Sequence, residues 1–349
     1  MSRAATSRTI DGDEGDAIMY RREFLGKLAT GALAGSISLL EISAASAQTA
    51  WPSKTITIIV PFPPGGQGDL AARPIAEFLQ RALGRAAIVE NRGGAGGKTG
   101  NAAAARAEPD GHTLLVTLSS LAVLPEADRL WDRPVAYEVA DLTPIARVLA
   151  DPTLLAVPAS APWKTLNDFI EDAKKNPGLI PYGSSGPYGT LHVAMEMFAA
   201  EAGIKLLHVP FTGAGPALAA LLQGSVKALA SAPGVLKPQA DAGEIRVLAN
   251  WGAERAPAFP DVKTFKELGF PNVEFYIWAG MFAPKATPAP IVARLREEVG
   301  KAMADPAIIK IFQGAGSPPA WLDAPDFQKF IAADSARLIA AVKKIGKVE

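Results

Sequence analysis

The feature that most constrains the fold is a unit that recurs along the chain: a short apolar strand, a glycine-containing loop and an amphipathic helix. Its first copy runs from a β-branched strand at 55–61, through a loop rich in proline and glycine, into a helical stretch at 70–83. Alternation of strands with helices is typical of parallel sheets, whose neighbouring strands need a crossover connection. The sequence therefore predicts an α/β architecture rather than an all-β or all-helical fold.

Two long extended stretches interrupt this alternation. Residues 143–157 and 274–283 have the character of strands without a nearby crossover helix, and an α/β block lies between them. A chain of 349 residues is long enough for two domains, each with its own core. We interpret the two stretches as the points where the chain crosses to a second lobe and returns. One lobe is predicted from 48–148 together with 275–349 and the other from 149–274, with a cleft between them that closes by a hinge movement.

The N-terminal segment has the three parts of an export signal. A YRREFLGK stretch carries paired arginines before Phe-Leu, as in twin-arginine signals, and a modestly apolar run follows it. Small residues then end at Ala47, so we expect cleavage before Gln48 and a periplasmic mature protein, the alternative being an amphipathic surface helix. Residues 1–47 are thus interpreted as a signal peptide. Because the first residues are acidic, which does not suit such a peptide, Met19 is the expected natural start.

Several loops share one arrangement: each follows a strand, carries glycine or hydroxyl groups, and leads into a helix. Taken alone, each is equally well explained as a plain strand–helix turn. Together they predict a cleft rich in N–H and hydroxyl donors, which suits a carboxylate. The predicted binding residues are Pro64, Gly65, Gly66, Gln67, Asp69, Thr117, Ser119, Ser120, Ser184, Ser185, Gly189, Thr190, Thr212 and Gly213. Asp69 is also expected to be the N-cap of the first helix, and Trp278 is the aromatic residue expected near the cleft.

Other function classes are disfavoured by composition and spacing. Lysine plus arginine and aspartate plus glutamate each number 35, so no nucleic-acid partner is expected. The chain has no cysteine, which excludes disulfides, thiol catalysis and a lipid anchor on cysteine. The glycine-rich run at 93–100 lacks the spacing of a P-loop or dinucleotide site, so no cofactor is expected. The three histidines, His112, His192 and His208, show no spacing typical of a zinc site.

A secreted serine hydrolase is the remaining catalytic interpretation. Ser184 and Ser185 lie between glycines, but Pro187 stands where the nucleophile-elbow motif requires glycine. The sequence offers no recognisable base beside them. His192 follows this loop at a helix start, where we expect a hydrogen bond to the backbone rather than contact with a ligand. We therefore expect a binding protein rather than an enzyme.

A series of motifs runs in order from residue 51 to residue 284, inside a stretch of family-like sequence that extends to residue 345. They are WPSK at 51–54, VPF at 60–62 with GG at 65–66 and Asp69, VENR at 89–92 with GAGG at 94–97, PDGHTLL at 109–115, SSG at 184–186, HVPF at 208–211 with Gly213, FPDV at 259–262 with Thr264, and Trp278 with Gly280 and FAP at 282–284. Together these motifs resemble the Bug family, the substrate-binding receptors of tripartite tricarboxylate transporter systems. Each motif is loose by itself, whereas their ordered combination is specific.

The resemblance implies a two-lobed receptor with the type II periplasmic-binding-protein, or Venus-flytrap, fold. Such a receptor captures a small carboxylate with backbone amides, hydroxyls and ordered waters, and docks on the subunits of a membrane permease; we expect it to be a monomer. The resemblance implies that the ligand contacts come from the loops at 64–69, 117–120, 184–190 and 212–215. A carboxylate sensor that reports to a signalling kinase is an alternative that the sequence leaves open.

Two positions depart from the family's pattern. Members often carry aspartate where this chain has Ser231, so Ser231 is expected to line the site without offering a charge to an ammonium group. The site is therefore predicted to be poor for amino acids. Tyr188 is bulkier than the residue usually found in its loop, and we expect it to line the pocket beside Phe62 or Phe211 and to favour an aromatic or long-chain carboxylate.

Overall fold

The structure, a computed structural model, describes residues 51–347. The predicted signal peptide, its cleavage site and Met19 lie outside these residues. The described strands are β1 (Ile56–Val60), β2 (Ala87–Asn91), β3 (Thr113–Leu118), β4 (Leu142–Pro152), β5 (Leu154–Pro158), β6 (Pro181–Ser184), β7 (Leu207–Pro210), β8 (Ala228–Ser231), β9 (Ile245–Asn250), β10 (Tyr276–Pro284) and β11 (Pro319–Asp323).

The helices lie between these strands and after the last of them. They are α1 (Gln67–Leu83), α2 (Lys98–Ala105), α3 (Leu124–Leu130), α4 (Leu166–Lys175), α5 (Thr190–Ala202), α6 (Ala214–Leu222), α7 (Pro233–Asp241), α8 (Ala289–Ala304), α9 (Pro306–Gly314) and α10 (Ala324–Ile345). None of the helices within residues 51–347 has both the length and the apolarity needed to cross a membrane.

The strands form two sheets. A six-stranded sheet has the order β11-β4-β10-β3-β1-β2, and a five-stranded sheet has the order β7-β6-β8-β5-β9. In the first, β1 is parallel to β2 and β3, whereas β10 is antiparallel to β3 and β4. In the second, β6 is parallel to β7 and β8, and β5 is antiparallel to β8 and β9. This mixed α/β arrangement confirms the predicted fold class.

Interior strands of both sheets are apolar and almost completely buried. In β1 only Thr57 is not fully buried, and the first four residues of β5 have no exposed surface. Continuous runs of Ile, Val and Leu are expected in strands that are buried on two sides, whereas strands with one wet face alternate. Runs of apolar residues in the sequence thus mark interior strands of both sheets.

The chain passes between the two sheets twice, at adjacent places. It leaves the six-stranded sheet at Pro152 and enters the other at Leu154, and it returns between β9 and β10. The two crossings are bonded to each other, since Thr153 N donates to Phe275 O over 3.2 Å and Trp251 N donates to Thr153 O over 2.8 Å. Closely paired crossings allow the two sheets to move about one shared axis, which is the arrangement of a hinge.

Three details differ from the sequence-based expectations. Helix α1 begins at Gln67 with Gly66 as its N-cap, so the prediction that Asp69 is the N-cap was wrong. Strand β4 continues to Pro152, past the predicted lobe boundary at residue 148. The short edge strand β11 was not predicted, because none of its five residues is fully buried and proline, which disfavours strands, is among them.

Candidate functional site

A narrow cavity lies between the two sheets, at the ends of strands and the beginnings of helices. As the two lobes lie here, its free space is about enough for one water molecule. Its lining comprises Phe62, Gly66, Gln67, Leu118, Ser185, Thr190, Leu191, Ala214, Ser231, Ala232 and Ile277. Both sheets contribute, which matches the general preference of ligands for the carboxyl ends of strands and for clefts between domains.

Four helices begin at this cavity. The N-cap residues of α1, α5, α6 and α7 are Gly66, Gly189, Gly213 and Ala232, and none of the four makes a side-chain capping hydrogen bond. The first N–H groups of a helix have no partner within the helix, and the helix dipole places partial positive charge there. Four such ends around one space make it favourable for a negatively charged group.

Polar side-chain atoms without partners surround the same space. The hydroxyl oxygens of Ser185 and Ser231, which line the cavity, are buried and have no hydrogen-bond partner, and the same is true of Ser119, next to the lining residue Leu118. Leaving a buried polar group unsatisfied costs about 1–3 kcal/mol, so buried groups of this kind normally have a partner. The three hydroxyls are therefore available to a bound molecule or to ordered water.

Gln67 adds an amide to the cavity wall. Its Nε2 donates to the Asp151 carboxylate at the hinge end of β4, while its Oε1 is buried without a partner. Burial raises the pKa of Asp151 to about 7, and the hydrogen bond from Gln67 only partly offsets that effect. Asp151 was not among the predicted site residues, because nothing in its local sequence marks it as a neighbour of a loop 84 residues away.

The rest of the lining is apolar and uncharged. Phe62, Leu118, Leu191 and Ile277 supply hydrocarbon surface, and no charged side chain lines the cavity among the described residues. An anion in this space would consequently be neutralised by N–H groups and hydroxyl dipoles rather than by an arginine or lysine. The apolar surface would contact the uncharged part of the same molecule.

Loops from the two lobes are in close contact on either side of the cavity. Ser120 Oγ donates to Gly96 O over 3.1 Å within one lobe, and Gly96 in turn packs against the backbone of Gly186 and Gly189 from the other. At Gly213 an added Cβ would lie 2.5 Å from Pro63 Cδ across the gap. Glycine is required at such contacts because any side chain would hold the lobes apart. The structure therefore represents a closed arrangement.

Several predicted residues shape the loops instead of lining the space. Asp69 accepts hydrogen bonds from Gly65 N, from Asn91 and twice from Arg73 at 2.8–3.1 Å. Burial favours the neutral acid, but these hydrogen bonds outweigh it and hold the pKa of Asp69 below its usual value. Its charge is thus engaged in fixing the Gly65 turn, where φ is 78° and glycine is favoured.

The other predicted residues outside the lining have structural partners or are exposed. Thr117 Oγ1 donates to Asn101 Oδ1 over 2.8 Å in the core of the six-stranded sheet. Pro64 and Thr212 lie at exposed loop tips. The structure thus brings Gly66, Gln67, Ser185, Thr190 and Ser231 together at the cavity, with Gly189 and Gly213 as the N-caps beside them and Ser119 adjacent.

Trp278 lies away from the cavity, although it was expected near the cleft. Its Nε1 donates to Asp334 Oδ2 over 2.7 Å, and its ring packs against Phe327 beneath α10. The preceding residue, Ile277, is the one that lines the cavity. Successive side chains of a strand point to opposite faces of the sheet. Choosing Trp278 instead of Ile277 therefore selected the face that is turned away from the cavity.

A serine–histidine pair exists beneath the 184–190 loop, although no base was recognisable from the sequence. Ser184 Oγ lies 2.6 Å from His208 Nε2 and also accepts from Gly186 N. Ser184 is fully buried and does not line the cavity. Burial lowers the pKa of His208 to about 4, which makes the ring a weak base. The pair is suited to shaping the loop and not to nucleophilic attack on a cavity ligand.

His192 and Tyr188 are also structural in this arrangement. His192 Nδ1 accepts from Tyr188 N over 3.0 Å, so the expected backbone hydrogen bond is present, and the His192 and His208 ring centroids are 4.2 Å apart. Tyr188 does not line the cavity beside Phe62, contrary to expectation. Tyr188 instead lines a separate outer groove. Its hydroxyl accepts a hydrogen bond from Trp131 Nε1 and donates one to Gly346 O, both over 2.9 Å.

Known proteins share this architecture. BugT from Bordetella pertussis is 33% identical over 313 residues, which cover 89% of this chain and 95% of BugT. The structure of the periplasmic binding protein BugD has a TM-score of 0.80 and 28% identity, covering 85% of this chain and 99% of BugD.

Two further structures were solved with a ligand. An R. palustris protein with adipate has a TM-score of 0.79 and 31% identity, and the match covers 85% of this chain and 98% of that one. MatC from Rhodopseudomonas palustris with bound malate has a TM-score of 0.77 and 29% identity, covering 83% and 99%.

The family model described as the tripartite tricarboxylate transporter family receptor matches residues 71–347. This match covers most of the chain and agrees with the resemblance to Bug proteins, which is thereby confirmed. The family is one of two-lobed substrate-binding receptors of the periplasm rather than of enzymes. This chain belongs to the tripartite tricarboxylate transporter receptor family.

Proposed function

We propose that this protein captures a small organic carboxylate between its lobes and delivers it to a tripartite tricarboxylate-type permease in the membrane. The observation that carries the proposal is the convergence of four helix N-termini without side-chain caps on a cavity without charged side chains. Adipate and malate, found with two structural neighbours, are both dicarboxylates and are consistent with this proposal.

A carboxylate fits this environment better than other small solutes. Hydrogen bonds to an ionised acceptor are roughly twice as strong as neutral ones, and helix N-termini stabilise negative charge by about 0.3–1 kcal/mol each at exposed sites. The unpartnered hydroxyls of Ser119, Ser185 and Ser231 supply additional donors. A neutral sugar or an amine would leave the positive ends of four helices uncompensated.

The proposed contacts fall into two groups. Gly66, Gln67, Ser119, Ser185, Thr190 and Ser231, with the N-caps Gly189 and Gly213, are proposed to face the ligand directly. Pro64, Gly65, Asp69, Thr117, Ser120, Ser184 and Thr212 support the loops that carry these groups, and Trp278 supports the strand that carries Ile277. Because Ser231 is uncharged, an ammonium group finds no ionic partner in the lining, and amino acids are expected to bind poorly.

The proposal also includes the route and the division of the chain. A twin-arginine signal, cleaved near Ala47 and Gln48, would export a monomeric receptor whose natural start is Met19. The lobes are proposed to comprise residues 48–152 with 275–349, and 153–274, because each range then contains whole strands of one sheet.

A thermal-shift and calorimetric screen of the mature protein tests the proposal. The panel contains mono-, di-, tri- and aromatic carboxylates, with aspartate and glutamate as amine-bearing members. A ligand at 100 times its Kd should add about 2.7 kcal/mol of stability. Aspartate and glutamate are expected to give a much smaller shift than the corresponding unaminated acids.

Two serine variants place the binding at the cavity. Ser231→Ala or Ser185→Ala should weaken the best carboxylate by about tenfold or more, since a hydrogen bond to a charged group contributes about 1.5–3 kcal/mol. Ser225→Ala, an exposed serine in the same lobe, is the matched control and should leave affinity unchanged. No response to any carboxylate, or tight binding of glutamate, would contradict the proposal.

A further inference from the structure

The amide of Gln67 differs from the hydroxyl side chains at the cavity. The hydroxyls of Ser119, Ser185 and Ser231 can donate or accept, and the helix N-termini can only donate. The amide nitrogen of Gln67 is occupied by Asp151, so the group left without a partner is an oxygen, which can only accept. Gln67 is 2% exposed, so bulk water does not reach this oxygen freely.

The orientation of this amide is set by its neighbour. Asp151 is 2% exposed and lies at the end of β4, where it contacts Gln67 from behind the cavity wall. An ionised carboxylate has no proton to give, so only the nitrogen end of the amide can face it. Turning the amide over would bring two acceptors together and is therefore disfavoured as long as Asp151 is charged.

An acceptor at this position repels a carboxylate and attracts a donor. The carboxylate of the ligand is consequently directed towards the helix N-termini and serines. Another part of the ligand must then meet Gln67 Oε1. If that part has no hydrogen-bond donor, the oxygen remains buried and unsatisfied, which weakens binding. A hydroxyl group is the simplest neutral donor that satisfies it.

We propose that Gln67, held by Asp151, is a specificity-determining residue that selects carboxylates carrying a hydroxyl group. The inference rests on the proposed carboxylate-binding function and names the substrate class of the same cavity. Asp151 is a positioning residue in this scheme, because it acts on the ligand only through the Gln67 amide.

Calorimetric titration of the exported protein with three sets of matched acids tests the proposal. The sets are lactate, propionate and pyruvate; malate and succinate; and 2-hydroxyglutarate, glutarate and 2-oxoglutarate, with the enantiomers of each hydroxy acid measured separately. The titrations are made at pH 8, where Asp151 is ionised because its pKa is about 7. In at least one set, one enantiomer of the hydroxy acid should bind tenfold or more tightly than the unsubstituted and 2-oxo acids.

Two variants connect that preference with the amide. Gln67→Met keeps the length of the side chain without its polar end, and should reduce the hydroxyl preference to less than threefold. Asp151→Asn provides an N–H donor for Gln67 Oε1, so the amide can turn and present its nitrogen; the 2-oxo acid should then gain relative to the hydroxy acid. Gln80→Met, on the exposed side of the same helix, should leave the preference as it is in the unaltered protein.

The outcomes separate this inference from the proposed function. Binding of carboxylates without a hydroxyl preference, or a preference that survives in a folded Gln67→Met protein, overturns the inference and leaves the proposed function standing. If no acid in the three sets or in the carboxylate panel binds, both are overturned. Thermal unfolding of each variant shows whether it is folded. If Gln67→Met does not fold, Asp151→Asn supplies the test.

Discussion

Helices that begin at the cleft and helices that begin on the outer surface satisfy their first N–H groups in different ways. On the outside, Thr165, Asp305 and Asp323 cap α4, α9 and α10 with a side-chain oxygen. At the cleft, glycine or alanine occupies the N-cap of α1, α5, α6 and α7, and no side chain caps them. Helices α2, α3 and α8 also lack side-chain caps, so what distinguishes the cleft is the convergence of four such ends.

The difference teaches how stability and binding are divided in this molecule. An N-cap side chain typically stabilises a helix by about 1 kcal/mol, and the cleft helices forgo this contribution. The N–H groups that remain open are the ones that an anion can occupy when the lobes close. A bound anion would therefore be expected to stabilise these helix starts.

The strongest test adds a cap where the protein has none. Ala232→Asp would place a carboxylate on the first N–H groups of α7, where the backbone is already extended as an N-cap requires. The new charge would occupy the donors and repel an anionic ligand, so affinity should fall by about a hundredfold or more. Calorimetry with the best carboxylate measures the change.

The control for this variant is Thr165→Asp, which adds the same charge at an outer helix start. It should leave both affinity and stability nearly unchanged, because aspartate caps a helix about as well as threonine does. Equal loss of affinity in both variants would mean that overall charge, and not the open helix end, governs binding.

A second test prevents the cleft from closing. In Gly213→Ala the new Cβ would meet Pro63 Cδ at 2.5 Å, while the local backbone is extended and accepts any residue. The lobes should then close less completely, and affinity should fall by at least tenfold with little change in the stability of the unliganded protein. Gly314→Ala, where nothing lies within 4 Å of the added Cβ, is the matched control. Unchanged affinity in Gly213→Ala would show that the contact is not needed for binding.

A third test concerns the histidine that supports the cleft loop before α5. Burial, together with nearby His208, lowers the pKa of His192 to about 3. Between about pH 3 and 6.5 the unfolded chain binds a proton at this ring that the folded protein does not. The unfolding free energy should therefore fall as the pH is lowered through this window, by up to about 1.4 kcal/mol per pH unit.

His192→Gln isolates this contribution. Glutamine can still accept from Tyr188 N but does not titrate, so urea unfolding at several pH values should show a shallower pH dependence in the variant. If the unfolding free energy depends on pH equally in the variant and the unaltered protein, folding does not lower the pKa of His192.

The smallest expected effect comes from removing an outer cap. Thr165→Ala deletes the side-chain oxygen that accepts from Asp168 N over 3.2 Å and should lower the unfolding free energy by about 1 kcal/mol. Carboxylate affinity should remain the same, since α4 does not reach the cavity. A loss of affinity comparable with that of Ala232→Asp would break the distinction between the two classes of helix start.

Much of the site could be predicted because its signals are local in the sequence. A strand followed by glycine and then by a helix determines where a chain places its open N–H groups, and Gly66, Gly189 and Gly213 could be found in this way. Ser231 was selected because it replaces a residue that the family often carries. These features depend on a few consecutive residues and on the general behaviour of helix ends.

The remaining features depend on contacts between distant segments. Whether Ile277 or Trp278 faces the cavity is decided by the register of β10 between β3 and β4. Asp151 reaches Gln67 only after the six-stranded sheet has formed, and His192 meets His208 only when α5 lies over β6 and β7. Sequence separation hides such pairs, and periodicity in a short strand does not say which face is inward.

The contact between Tyr188 and Trp131 places a fluorescent side chain at the boundary between the two lobes. Tyr188 follows β6 of one sheet, Trp131 follows α3 of the other lobe, and the indole donates to the tyrosine hydroxyl over 2.9 Å. Trp163, Trp251 and Trp278 are buried. Opening would break the indole hydrogen bond, so the tryptophan emission of the unlabelled protein is expected to change as the lobes open and close.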